Sequence, residues 1–175
     1  MNKNRGRASA LSVLGVTLVR VILGVWWISQ FTWKPPPTFG CPDAGFCLWL
    51  NKEIQYPLIP LYGQILHAVV LPNAYLFGWL AFIVETAVGL SLALGLLTRL
   101  GGGVATLWSL NLLIGLVAVP GETSWYYIAT ILLNFLFFAM GSFNQLSLDR
   151  MLGLSSWWTG RDGSTGAYAA GGGRW

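Results

Sequence analysis

Charge is what this sequence has least of. Only 9% of its 175 residues are Asp, Glu, Lys or Arg, against 55% hydrophobic and 14% aromatic, whereas a soluble domain carries roughly 25% charge. The deficit excludes an ordinary water-soluble globule and points to an integral membrane protein with one helical bundle. Histidine is nearly absent too. With His67 as the one histidine and no CxxCH motif, haem ligation within the chain is essentially excluded. No GxGxxG opens a helix after a strand, and no Ser/His/Asp set is present. Two cysteines by themselves make a poor metal site, so no haem, flavin or metal is expected. Basic residues exceed acids, for a net charge of +4, but they sit at the chain ends and segment junctions. Without a basic groove interleaved with aromatics, nucleic acid is not expected as a partner. No internal repeat of useful period is visible.

Long apolar runs are what is there. Lys3, Arg5 and Arg7, with no acid among them, precede a run over residues 11–33 or so. That run is too long for a signal peptide, is interrupted by Arg20, and shows no small-residue cleavage site before Lys34, so it reads as a retained membrane helix. Pro35, Pro36 and Pro37 stop it, because proline lacks the amide donor. Residues 34–73 form a long mixed loop whose apolar piece, residues 62–71, is too short to span and is expected at the interface. Three further helices are expected at about 75–98, 104–119 and 125–143, with Gly101, Gly102 and Gly103 turning the chain between the second and third. A short loop from Pro120 to Ser124 joins the last two, with Glu122 solvated in it. The expected architecture is an all-α bundle of four transmembrane helices over residues 1–152. A Gly/Ser/Trp-rich tail over 153–175 is expected to be weakly ordered or to dock on a partner.

Orientation follows from Lys and Arg. An even number of spans places Lys3, Arg5, Arg7, Arg99, Arg150, Arg161 and Arg174 on one side, against Lys34 and Lys52 on the other, so both termini are expected in the cytoplasm. Cys41 and Cys47 then lie outside a prokaryotic cytoplasmic membrane, where a disulfide between them persists. Trp26, Trp27, Trp33, Tyr75, Trp79, Trp125, Tyr126 and Tyr127 are expected to form the outer aromatic belt.

Glu85 is the sole ionisable residue between Tyr75 and Thr98. A carboxyl group at mid-bilayer costs about 2.5 to 3.5 kcal/mol on insertion scales, so it should face protein and have a partner. Counting about 1.5 Å per residue from the basic flanks puts Arg20, Glu85 and Asn111 roughly 18 to 21 Å deep, and Asn134 falls in the same slab. Gly24, Gly89 and Gly115 each follow one of the first three at i+4, so the polar and small-residue faces coincide. Arg20 and Glu85 are the expected ion pair. The pair either locks helix register or handles protons beside a quinone or substrate pocket. His67 is a headgroup-facing histidine or a proton donor to a ligand at the outer interface. Trp108, three residues before Asn111, is a candidate cavity wall.

Leu18-Val19-Arg20-Val21-Ile22-Leu23-Gly24 with Trp26 and Trp27 after it, Lys34 with prolines beyond, Phe77-Gly78, Glu85-Thr86-Ala87-Val88-Gly89-Leu90, Gly95-Leu96-Leu97-Thr98-Arg99, Asn111 and Leu146-Ser147-Leu148-Asp149 together resemble the DoxX/DoxD family of small four-helix membrane proteins, its DoxD branch in particular. The resemblance covers about residues 15–152. It implies a subunit of a membrane-bound thiosulfate:quinone oxidoreductase, which oxidises thiosulfate to tetrathionate and passes the electrons to quinone. The chain departs from the complete enzyme in having no soluble-type domain of the companion DoxA kind, so a DoxA-like chain is an expected partner. Other DoxX-like proteins imply the alternative of a non-catalytic accessory subunit in a larger respiratory or photosynthetic electron-transfer complex.

Overall fold

The computed structural model describes residues 2–139 and 147–152, and those residues are entirely helical or loop, with no strand. Two stretches are long and apolar enough to cross a membrane, Leu11–Thr32 and Pro60–Leu94, and Ser124–Ala139 is a shorter apolar helix. The tail over 153–175 and the expected end of the last long helix over 140–143 lie outside the described residues.

Helix α1, Asn2–Ser29, closes in a 3-10 turn at Gln30–Thr32 before the triple proline. Helix α2, Gly45–Gln55, follows within the expected outer loop. Helix α3, Pro60–Ile65, does not stop as a separate interfacial piece. It runs through a π-turn at Leu66–Val70 and a 3-10 turn at Leu71–Asn73 into α4, Ala74–Leu94. Pro72 explains the irregularity: it has no N–H to give to the preceding turn, so the ladder changes pitch and resumes beyond it.

The turn expected at the glycine triplet lies elsewhere. Helix α4 ends at Gly95, which adopts the left-handed conformation that glycine accepts without a Cβ penalty, φ 69°. Leu97 is also left-handed, and α5 begins at once as Thr98–Leu116. Gly101, Gly102 and Gly103 are therefore helical. Gly102 serves contact: a Cβ there would stand 2.7 Å from Phe138 N on helix α6, Ser124–Ala139. The short helix α7, Leu148–Met151, supplies Asp149, whose two oxygens accept hydrogen bonds from Leu97 N at 2.6 Å and Thr98 N at 3.0 Å. A carboxylate there satisfies two of the orphan amides at the start of α5 and complements the helix dipole.

Helix α1 packs along α4, α5 along α6, and α4 against α5. At the first contact the backbones touch through glycine, as the small-residue faces predicted. A Cβ on Gly24 would lie 2.7 Å from Gly89 O, and one on Gly89 would lie 2.8 Å from Gly24 O. Leu23, Trp27, Val88, Leu92, Ala105 and Phe137 close the core between these four helices. Beside them, the loop after α1 folds over α4 with Phe39 fully buried on Gly78. The Cys41–Cys47 disulfide, Cα atoms 5.1 Å apart, joins that loop to the first turn of α2.

Candidate functional site

Helices α1 to α6 and two of the loops between them converge on a cavity of about 880 Å³. The end of α1 brings Trp26, Trp27 and Gln30, and the loop beyond it brings Trp33 and Lys34. Trp49 and Glu53, one turn apart on α2, face Tyr62 of α3. Glu85 comes from α4, Trp108 and Asn111 from α5, Tyr126 and Tyr127 from α6, and Glu122 from the loop before α6. Three carboxylates and one ammonium thus look into a space walled mainly by indole and phenol rings. Several expected belt aromatics belong to this wall. Trp26 meets Trp27 and Tyr126 edge to face at 5.0 and 5.6 Å, whereas Tyr75, Trp79 and Trp125 do stay exposed.

Glu85 has its buried cationic partner, but the partner is Lys34. Lys34 Nζ lies 2.6 Å from Glu85 Oε1, with both side chains nearly inaccessible, and Trp108 Nε1 donates to the same oxygen at 3.3 Å. Glu85 Oε2 is buried and accepts no hydrogen bond among the described residues. The register of α1 on α4 explains why the Arg20–Glu85 pair does not form. These helices run antiparallel, with Gly24 against Gly89 and Ala93 and with Ile28 against Gly89, so Arg20 falls beside the α4–α5 turn and Glu85 beside the end of α1. The Arg20 guanidinium fills the space next to Gly95 and Ser147, within the field of Asp149. Gly95 is ten residues, about 15 Å, along the helix from Glu85.

The expected polar layer separates into distinct clusters. Asn134, fully buried, accepts from Trp27 Nε1 at 3.3 Å and donates to Ser109 Oγ at 3.2 Å. Its amide is used at both ends, tying α1, α5 and α6 together behind the cavity wall. Asn111 belongs instead to a cluster at the cavity's loop side. Tyr62 Oη stands 3.3 Å from Asn111 Oδ1 and 3.4 Å from Glu53 Oε2, within donating reach of either. Gly115, expected to let two helix backbones approach, makes room for the Glu53 carboxylate: a Cβ there would meet it at once. Burial pushes the Glu53 carboxyl up to about 7, against the opposing effects of the Tyr62 hydrogen bond and the Lys34 charge. Glu122, expected to be solvated, lines the cavity and accepts from Tyr127 Oη at 2.6 Å.

Of the sequence candidates, the structure gathers Glu85, Trp108 and Asn111 on one cavity wall and leaves Arg20, Asn134 and His67 off it. His67 is exposed on the π-turn. The residues that sequence reasoning passed over are Lys34, Glu53 and Tyr62. A signal for Glu53 was present: Phe46, Trp49, Leu50 and Glu53 are spaced at three and four, a helical face inside what read as loop. No group of three or more metal-ligating side chains occurs among the described residues. The site therefore offers hydrogen-bond donors (Lys34, Trp108, Tyr62) and an acid of near-neutral affinity at the margin of an apolar, ring-walled space. Comparison with protein-family models, curated proteins and solved structures returns no match.

Proposed function

We propose that this chain is the membrane subunit of a quinone-linked oxidoreductase, of the kind its resemblance to the DoxD subunit of thiosulfate:quinone oxidoreductase implies. The observation that carries this reading is the cavity: about 880 Å³, within the size range of small-molecule sites, mostly apolar, with a few convergent polar groups. A quinone head is a flat ring with a carbonyl oxygen at each end. Indole and phenol walls suit the ring, and the Lys34, Trp108 and Tyr62 donors suit the oxygens. With one carboxylate oxygen of Glu85 unpartnered, the wall also holds an acceptor for the hydroxyl of a reduced ring. In this reading the bundle crosses the prokaryotic cytoplasmic membrane four times, both termini inside and the disulfide loop outside. Helix α5, with 19 residues, is about 28 Å long, close to the thickness of a hydrocarbon core. Electron supply from thiosulfate then requires a second, DoxA-like chain.

The test is purification in mild detergent, extraction of bound quinone, and titration with decylubiquinone while following tryptophan fluorescence. Rings in contact with Trp26, Trp49 and Trp108 quench them. Thiosulfate-dependent quinone reduction by the protein with its co-purifying partner completes the assignment. Absence of both bound quinone and quenching, with recovery in fixed stoichiometry inside a large electron-transfer complex, would replace this reading with that of an accessory subunit.

A further inference from the structure

Three carboxylates line the cavity, and their surroundings give them different capacities to exchange a proton. Glu85 is engaged by the Lys34 ammonium at 2.6 Å and by an indole N–H, contacts that a proton arriving on it would have to displace. Glu122 accepts a short bond from Tyr127 Oη at 2.6 Å, which occupies one of its oxygens. Glu53 differs. Among the described residues its hydrogen-bond partner is Tyr62 alone, at 3.4 Å, and the Tyr62 hydroxyl is shared with Asn111 of α5. Its neighbours Asn51, Gln55 and Tyr56 are exposed, so one side of α2 meets the surroundings while Glu53 meets the cavity. Gly115 leaves its carboxylate space against α5.

Resting on the quinone reading, we propose that Glu53 is the proton carrier of the cavity, passing protons from the face that bears the disulfide, through the Tyr62 hydroxyl, to the bound ring. Reduction of the ring balances as quinone plus two electrons plus two protons giving quinol. The electrons come from the two-electron sulfur donor, two thiosulfates joining as one tetrathionate. Each proton leaves the Glu53 carboxyl, and water on the disulfide face restores it before the next. The groups facing Glu53 are Lys34 from the loop after α1, Tyr62 from α3, Asn111 and Gly115 from α5, and Tyr127 from α6. Glu85 stands behind Lys34, Glu122 lies across the cavity, and Lys52 is turned onto the Trp49 ring at 4.1 Å. Lys34 is the one cation that faces Glu53. Its charge is already matched by Glu85, which leaves Glu53 able to gain and lose a proton near neutrality.

The experiment needs no physiological donor. Protein saturated with decylubiquinone is mixed with dithionite in a stopped-flow instrument across neutral pH, with the quinone in empty micelles as control. The wild type should slow as pH rises through about 7. Glu53→Gln should reduce its bound quinone about 10²-fold more slowly, the lower end of general-acid effects, with no bend near neutrality, and Glu53→Asp should restore part of both. Tyr62→Phe, which keeps the carboxyl, should be slow but retain the bend, and it carries the test if Glu53→Gln does not fold. An infrared carboxyl stretch that disappears as the quinone-free protein is taken through neutral pH should be missing from Glu53→Gln. A protein that binds quinone but whose Glu53→Gln and Tyr62→Phe variants match the wild-type rate and profile overturns the relay alone. Failure of the wild type to bind quinone overturns the quinone reading beneath it.

Discussion

Lys34 and Glu85 form a buried ion pair whose two members come from a loop and a helix interior. Removing one partner of such a pair typically costs 3–5 kcal/mol because the other charge is left in a poor solvent, whereas removing both is far less harmful. Lys34→Met and Glu85→Gln should each lower the thermal midpoint sharply in detergent, and the double variant should recover much of the loss. Arg20→Ala, with its guanidinium at the other end of α4, should add to Glu85→Gln within about 0.5 kcal/mol, as distant sites do; a coupling comparable to that of Lys34 would contradict the assignment. Glu53 makes a separate residue-scale prediction. Its folded-state affinity, about 7, is raised from an ordinary 4.5, so the native protein holds that proton more tightly than the unfolded chain. The stabilising effect of protonation is complete below about pH 4.5 and is lost as pH climbs to about 7. Thermal midpoints of the wild type should therefore decline across that window, and Glu53→Gln should flatten the decline; parallel curves for the two proteins would refute it.

At the scale of elements, the α1–α4 contact depends on two glycines meeting backbone to backbone. Gly24→Val or Gly89→Val forces these helices apart and should destabilise the bundle more than Gly15→Val, a site with nothing within 4 Å of an added Cβ; circular dichroism melts distinguish them. This contact was legible in the sequence because glycine at i+4 from a buried polar residue is a periodic signal. Helix ends were less legible. The turn between α4 and α5 is made by Gly95 with Leu97 also left-handed, and Asp149, more than fifty residues on, holds it; no local pattern announces a cap supplied from so far away. The glycine triplet looked like a turn for want of that information, and its role is close approach to α6. Depth counting failed for Arg20 for a related reason. It assumed helices that begin and end at their basic flanks, whereas α4 stops at Leu94 against an expected 98, which accounts for part of the ten-residue offset between Glu85 and the Gly95 that Arg20 faces. Glu85, Trp108 and Asn111 survived as cavity residues because burial of a polar group in an apolar run is a requirement on each helix by itself. Lys34 and Tyr62 were missed because their roles exist only after a loop folds back over the bundle.

For the whole molecule, the polar groups of the cavity gather toward one end, the end at which the disulfide, α2 and the loop carrying Glu122 are found. In the four-span reading this end faces outward. With the native cysteines joined to each other, a cysteine introduced at Thr123, exposed in the loop before α6, should react with a membrane-impermeant maleimide in intact cells. A tag at the N-terminus should stay protected from external protease until the cells are opened. Labelling at position 123 only after lysis would invert the topology and, with it, the side from which the cavity exchanges protons.

The cap that Asp149 places on α5 also bears on when this protein can be finished. A ribosome delivers the chain in order, at about 5–20 residues per second, so the turn at Leu97 and Thr98 leaves the exit tunnel well before the carboxylate that satisfies its amides has been made. Until then two backbone N–H groups at the start of α5 have no acceptor from Asp149, and the hinge between α4 and α5 stays incomplete. The last-synthesised part of the bundle thus closes a joint near its centre, and chains stalled short of residue 149 should be cut by protease at that joint when the full-length protein is not.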